Sequence, residues 1–221
     1  MVLTPEQARS FYDRFGSRQD AQAFYEDATL EDLIAHAAFE RAGTVFEFGC
    51  GTGRLALSLL QKHLPASATY LGVDLSQTMV GLAGPRLHPY AERANVVHTD
   101  GAIRFPLPDN SADRVVSTYV FDLLSDADIQ LALAEAARVL MPGGRVCLVS
   151  LTDGTTLVSR MVSAVWSALY HLHATLVGGC RPIVLLDHLD TQVWQLEYHH
   201  MVVRYGVPSE VLIAVRRPGP A

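Results

Sequence analysis

The run Val45-Phe46-Glu47-Phe48-Gly49-Cys50-Gly51-Thr52-Gly53-Arg54-Leu55-Ala56 constrains this chain more than any other segment. An apolar, strand-like stretch passes through three alternate glycines into an amphipathic helix. Glycine there admits backbone dihedrals that a Cβ forbids and lets a ligand pack directly on main-chain atoms. In open α/β sheets such a turn lies where ligands bind, at the carboxyl ends of the strands. A dinucleotide cradle is disfavoured, because its fingerprint is GxGxxG. Here the glycines fall at 49, 51 and 53, and Arg54 stands where the last fingerprint glycine permits close helix-to-strand contact. A tight strand-to-helix connection would also use glycine for its geometry alone, so other parts of the chain must decide.

From residue 44 onward, short apolar runs alternate with helical periodicity, which predicts βα units and a parallel sheet. The strands expected are Val45 to Phe48, Tyr70 to Asp74, Asn95 to His98, Arg114 to Tyr119 and about Arg145 to Leu151. Leu55, Leu59 and Leu60 form the buried face of the first helix. Ser76 caps a second, which carries Met79 and Leu82. Ser125-Asp126-Ala127-Asp128 opens a third with a capping box, burying Ile129, Leu133 and Leu140 and ending at Pro142-Gly143-Gly144. Thr191 to Val203 and Val211 to Val215 then read as two strands joined around Gly206-Val207-Pro208. So tight a connection makes them antiparallel. Ahead of the sheet, Thr4-Pro5-Glu6-Gln7 starts a helix that stops near Gly16, and Thr29-Leu30-Glu31-Asp32 repeats the start signal for a helix running towards Gly43.

Three carboxylates sit at informative places. Glu47 precedes the glycine turn. Asp74 ends the second strand, 21 positions after Gly53, where a carboxylate can accept from both hydroxyls of a ribose. Asp100 ends the third strand in Thr99-Asp100-Gly101-Ala102. The pattern Glu-x-Gly-x-Gly-x-Gly at 47–53, the block Leu71-Gly72-Val73-Asp74-Leu75-Ser76, the segment 105–116 and Leu140-Met141-Pro142-Gly143-Gly144-Arg145 together resemble class I S-adenosylmethionine-dependent methyltransferases. The resemblance covers residues 44 to 151 and is one of layout beyond Thr152.

That resemblance implies an α/β, Rossmann-like sheet of seven mostly parallel strands, with the last strand antiparallel and helices on both faces. It further implies one domain over 1–221, with a helical cover (1–43), a cofactor-binding core (44–151) and a substrate-side helix with closing strands (152–221). The cofactor is then S-adenosylmethionine, leaving as S-adenosylhomocysteine. Gly49, Cys50, Gly51 and Gly53 would line its amino acid and ribose ends, with Glu47 by the methionine amino group. Asp74 and Leu75 would hold the ribose, and Asp100 would accept from the adenine amine. A backbone amide of Gly101 or Ala102 would donate to the ring. Tyr12, in Phe11-Tyr12-Asp13, resembles the Tyr-Asp pair that quinone-type relatives place near the methionine end, although the Phe11 and Phe15 spacing also suits packing.

The sulfonium carries its own activated methyl, so the protein mainly orients a nucleophile and excludes water. If a base is needed, Tyr119 and Asp122 at the sheet's carboxyl edge are the first candidates, ahead of His171, His173, His199 and His200. The formal charge of -6 and a lone lysine, Lys62, leave no basic cluster for a nucleic-acid partner. No cysteine stands in a metal-ligand spacing, and the default location is the cytoplasm. Met161 to Gly179 contains no Asp, Glu, Lys or Arg, but its serines and histidines argue for a substrate-covering or core helix, with no more than transient membrane contact. The expected acceptor is a small apolar molecule, with a quinone or phospholipid as runner-up. The rivals are a nicotinamide oxidoreductase and a module that binds S-adenosylmethionine or S-adenosylhomocysteine without turnover.

Overall fold

The computed structural model describes residues 2–218; Met1 and 219–221 lie outside it. Its centre is a seven-stranded sheet in the order β3-β2-β1-β4-β5-β7-β6. The strands are β1 (Thr44–Phe48), β2 (Thr69–Asp74), β3 (Ala94–His98), β4 (Ala112–Thr118), β5 (Leu140–Leu151), β6 (Trp194–Arg204) and β7 (Val207–Arg216). β1 to β5 pair in parallel, while β7 is antiparallel to both β5 and β6. The expected sheet, with its reversed last strand, is the one observed.

Because successive strand residues point to opposite faces, the near-continuous apolar runs supply two cores at once. Val45, Cys147 and Ile213 face one side, with Leu33, Phe39 and Leu59. Phe46, Leu148 and Leu212 face the other, with Ile129, Leu133 and Trp194. The first side is covered by α2 (Ala23–His36) and α3 (Arg54–Ser58), which continues as a π turn through Leu59–His63; the second is covered by α5 (Asp126–Val139). α4 (Gln77–Leu87) buries Met79, Ala83 and Leu87, and Leu82 is only half-buried.

The amino-terminal helix α1 (Pro5–Phe15) has the expected capping box, Thr4 with Gln7, and ends at Gly16. The second start signal is corrected. α2 begins at Ala23, directly after a 3-10 run over Gly16–Gln22, so Thr29 is a buried residue inside the helix. Asp128 also departs from a full capping box: its N–H donates to the Ser125 hydroxyl (3.2 Å), while its carboxylate accepts from that same hydroxyl (2.6 Å). Pro142-Gly143-Gly144 does not end α5. The helix stops at Val139, and the register jumps from Ala112 opposite Leu140 to Arg114 opposite Arg145, which places the Pro-Gly-Gly turn as a bulge inside β5.

Glu210, wholly buried on β7, ties the closing hairpin to the chain before it. Its carboxylate accepts from the Leu185 N–H (2.7 Å) and the Leu186 N–H (3.2 Å), and the His199 ring lies 2.8 Å away. Replacing it with alanine strands two backbone donors. Glu210→Ala is expected to lower stability by on the order of 3 kcal/mol in urea denaturation, with His199→Ala costing much less.

Candidate functional site

The carboxyl ends of β1, β2 and β4 meet under the amino-terminal helices and enclose a cavity of about 360 Å³. Its walls include Gly49, Gly51, Asp74, Leu75, Gly101, Ala102, Tyr119 and Tyr12, together with the apolar Val2, Leu3, Ile103, Leu123, Leu124 and Leu131. A smaller hollow shares Gln19, Gly49, Gly51 and Tyr119 with it and reaches Glu47, Cys50 and Glu26.

The glycine turn takes its shape from backbone requirements. Gly49, Gly51 and Gly53 all have positive φ (78°, 52° and 75°), a conformation that side-chain-bearing residues rarely adopt. A Cβ on Gly49 would lie 2.3 Å from Val120 Cγ2, and one on Gly53 would press on Ala83 of α4 at 3.0 Å. Two hydrogen bonds from Gly49 N–H and Cys50 N–H to the Val73 carbonyl (both 2.9 Å) lock the turn against β2. Gly51 N–H donates to Asp74 Oδ2 (2.8 Å) and Ser76 N–H to Asp74 Oδ1 (2.8 Å). Each Asp74 oxygen keeps a lone pair for a ligand hydroxyl. Burial raises the Asp74 carboxyl above its ordinary value, against the pull of those two amides.

Glu47 is fully buried, and its Oε2 accepts from the Tyr70 hydroxyl at 2.6 Å. Burial pushes its carboxyl up to about 8, so it holds a proton at neutral pH. Gly72 makes room for this contact, since a Cβ there would sit 2.6 Å from the Tyr70 hydroxyl. An ammonium brought into the hollow would favour the ionised form.

The remaining expected residues separate. Asp100 is exposed, stands outside the cavity wall, and accepts the Ala102 N–H at 3.0 Å in a local Asp turn; that amide is therefore already engaged. Asp122 is fully buried and also outside the wall: Oδ2 takes a long bond from Leu151 N–H (3.4 Å), Oδ1 has no partner among the described residues, and burial pushes the carboxyl up to about 7. Tyr119 lines the cavity with φ +56°, but its hydroxyl is paired with Ser209 Oγ at 3.0 Å and burial raises its pKa. Neither therefore offers the cavity a ready proton acceptor. Tyr12 donates to the Gly178 carbonyl (3.3 Å), and burial raises its pKa too. His171 and His173 are exposed near the end of α6 (Leu157–Leu172), His199 contacts Glu210 and His200 contacts Asp32, and none of the four is in the cavity wall.

Sequence reasoning missed the clamp that holds the cover on the turn. Asp13 accepts from the Ser76 hydroxyl (2.6 Å), and Asp20 accepts from Thr52 Oγ1 and Arg86 Nη2 (both 2.6 Å). Arg54 pairs with Glu26 (2.6 Å) and with Asp27. Asp20 lies in a 3-10 run without strand or α-helical periodicity, which is why no pattern flagged it.

Residues 45–144 match the family model described as a methyltransferase domain. Over these residues the chain is similar to methyltransferase domains. An uncharacterized methyltransferase of Geobacillus thermodenitrificans strain NG80-2 is 33% identical over 143 residues, 64% of this chain and 62% of the relative. One of Bacillus mycoides strain KBAB4 is 33% identical over 135 residues, 61% of this chain and 59% of the relative. The chain thus spans about three fifths of the length of the curated relatives it matches. Among solved structures, the [4+2]-cyclase SpnF superposes with a TM-score of 0.73 at 17% identity, covering 99% of this chain and 98% of the cyclase. The N-methyltransferase NodS from Bradyrhizobium japonicum WM9, in complex with S-adenosylhomocysteine, gives 0.67 at 15% identity, over 87% of this chain and 88% of NodS. At such identities the likeness is one of fold.

The protonated Glu47 yields a signed pH effect. In the unfolded chain it ionises near its ordinary 4.5 and in the folded chain near 8, so the folded state binds more protons between those values and stability falls as pH rises through that window. Glu47→Gln keeps an acceptor for Tyr70 and cannot ionise. Its melting temperature is expected to match wild type at pH 4 and to exceed it by a few degrees at pH 8; a pH-independent difference would assign Glu47 an ordinary carboxyl.

Proposed function

We propose that the protein transfers a methyl group from S-adenosylmethionine to a small apolar acceptor, and that it works as one domain whose first 43 residues cover the cofactor. The observation that carries this reading is the left-handed glycine turn, pinned to Asp74 at the mouth of a mostly apolar cavity. The donor fits the residues present: a cradle that a Cβ would fill at Gly49, a half-buried ribose acceptor at Asp74, and a buried acid at Glu47 for an ammonium. Bound there, it would supply an activated methyl on a sulfonium.

The chain's own part is to orient and to exclude water. Asp74 would accept from the ribose, with Leu75 and Ala102 beside the nucleoside and Tyr12 and Tyr119 walling the methionine end. Asp100 would serve the adenine only by turning out of its present Asp turn. The apolar walls Leu123, Leu124 and Leu131 support a greasy acceptor. A quinone or phospholipid belongs to the same class. A second reading, binding without methyl transfer, draws on the engaged Tyr119 hydroxyl and the secluded Asp122, which leave catalysis to proximity alone.

Calorimetry tests the cofactor and a tritium-methyl screen tests turnover. S-adenosylhomocysteine is expected to bind and NADH not to, and Asp74→Ala should weaken the former at least tenfold, about 1.4 kcal/mol. Unchanged affinity in that variant would refute the ribose assignment. Labelled product from metabolite or lipid extracts would support transfer, and its absence from every extract would favour the second reading.

A further inference from the structure

α6 is an amphipathic helix turned inside out. Its fully buried positions are Ser159, Ser163 and Tyr170, whereas Leu157, Met161 and Leu172 are exposed at 82%, 70% and 75%. Spacings of three, four and seven align Leu157, Met161, Ala164, Val165, Ala168 and Leu172 along one outward stripe. A surface helix of a globular protein normally shows water the opposite face, and an exposed contiguous apolar patch marks an interaction site. The patch also runs on past the helix. The turn at Gly206 abuts Val158, and the adjoining exposed Tyr205 ring lies 5.7 Å from exposed Phe24.

The charge around this patch selects the partner. The chain carries a formal charge of -6, yet no Asp or Glu occurs from Gly154 to Leu186. Beside the stripe stand Arg160, exposed next to Met161, and Arg204, exposed with its guanidinium 5.1 Å from the Tyr205 ring centre; Asp153, just before the helix, is exposed as well. A two-fold contact through the same face pairs the patch with itself, and the patch offers these arginines no acid from Gly154 to Leu186. An anionic lipid surface meets both features: acyl chains for the stripe, and headgroups for the arginines and the aromatic tip.

We propose that α6 and the β6–β7 turn form a peripheral docking face for an anionic membrane surface. No described helix is long and apolar enough to cross a membrane, so the contact lies in the plane of the interface. The inner side of α6 reaches the site: Trp166 Nε1 donates to the Cys180 carbonyl (3.0 Å), and Cys180 Sγ lies 3.8 Å from the hydroxyl of Tyr12, which lines the cavity. The docking stands whether or not the chain transfers a methyl group.

Flotation of the full chain with vesicles of phosphatidylcholine, with and without phosphatidylglycerol, tests it. Binding is expected to be roughly tenfold or more stronger with phosphatidylglycerol than with phosphatidylcholine alone, as two arginines at an anionic surface would give. It should be lost in Leu157→Glu/Met161→Glu, and weakened by Arg160→Glu and by high salt. S-adenosylhomocysteine affinity should be unchanged in these variants, which reports an intact fold. Failure of wild type to float with anionic vesicles, or equal binding to both compositions, would overturn the proposal. So would a dimer in sedimentation velocity that the double variant splits into monomers.

Discussion

Two strand ends are joined by one carboxylate. Asp74, at the end of β2, accepts the Gly51 N–H from the turn after β1, while the Val73 carbonyl takes Gly49 and Cys50. Without these contacts a run of three left-handed glycines would be a loose, entropically costly loop; with them it is a rigid cradle. α3 then leaves the turn at a defined angle, Gly53 lies close against α4, and Arg54 points outward to the acids of α2.

Around that cradle the protein concentrates buried acids. Glu47, Asp122 and Glu26 are all pushed above the ordinary carboxyl range, to about 8, 7 and 6, in each case first by burial. They differ in what offsets it. Glu26 has the Arg54 guanidinium, Glu47 the Tyr70 hydroxyl, and Asp122 a long amide contact from Leu151 together with the more distant charge of Arg181. Burying a charge without a partner is expensive, so Glu47 is carried mainly in the neutral form at neutral pH and Asp122 is raised close to neutrality.

The cover and α6 share a logic that opposes the sheet's. Sheet residues are inside because they are apolar. The cover seats Leu30 and Leu33 of α2 in the core, but over the glycine turn it is held by ion pairs and hydroxyl contacts, Asp13 to Ser76, Asp20 to Arg86 and Thr52, and Arg54 to Glu26. α6 packs serines inward and leaves its leucines out. Polar clamps can open at less cost than a packed core, and an outward apolar stripe awaits a second phase.

The sequence by itself determined the sheet, because strand period and apolar content are local and each βα unit announces its own ends: Ser76 and Ser125 cap their helices, and the closing hairpin turns at Gly206. It also located the glycine turn and Asp74, since both depend on residue type at a fixed offset along one chain. Only the tertiary structure decided the rest. Thr29 reads as a cap yet sits inside α2, because the preceding 3-10 run feeds straight into that helix. Asp100 accepts from its own Ala102 amide, a local turn that its sequence allows but does not require, and Asp122 is fully buried because the residues that close over it lie far away in sequence. The inverted face of α6 shows the same limit: periodicity reveals that a helix has two faces, and only packing decides which one meets water.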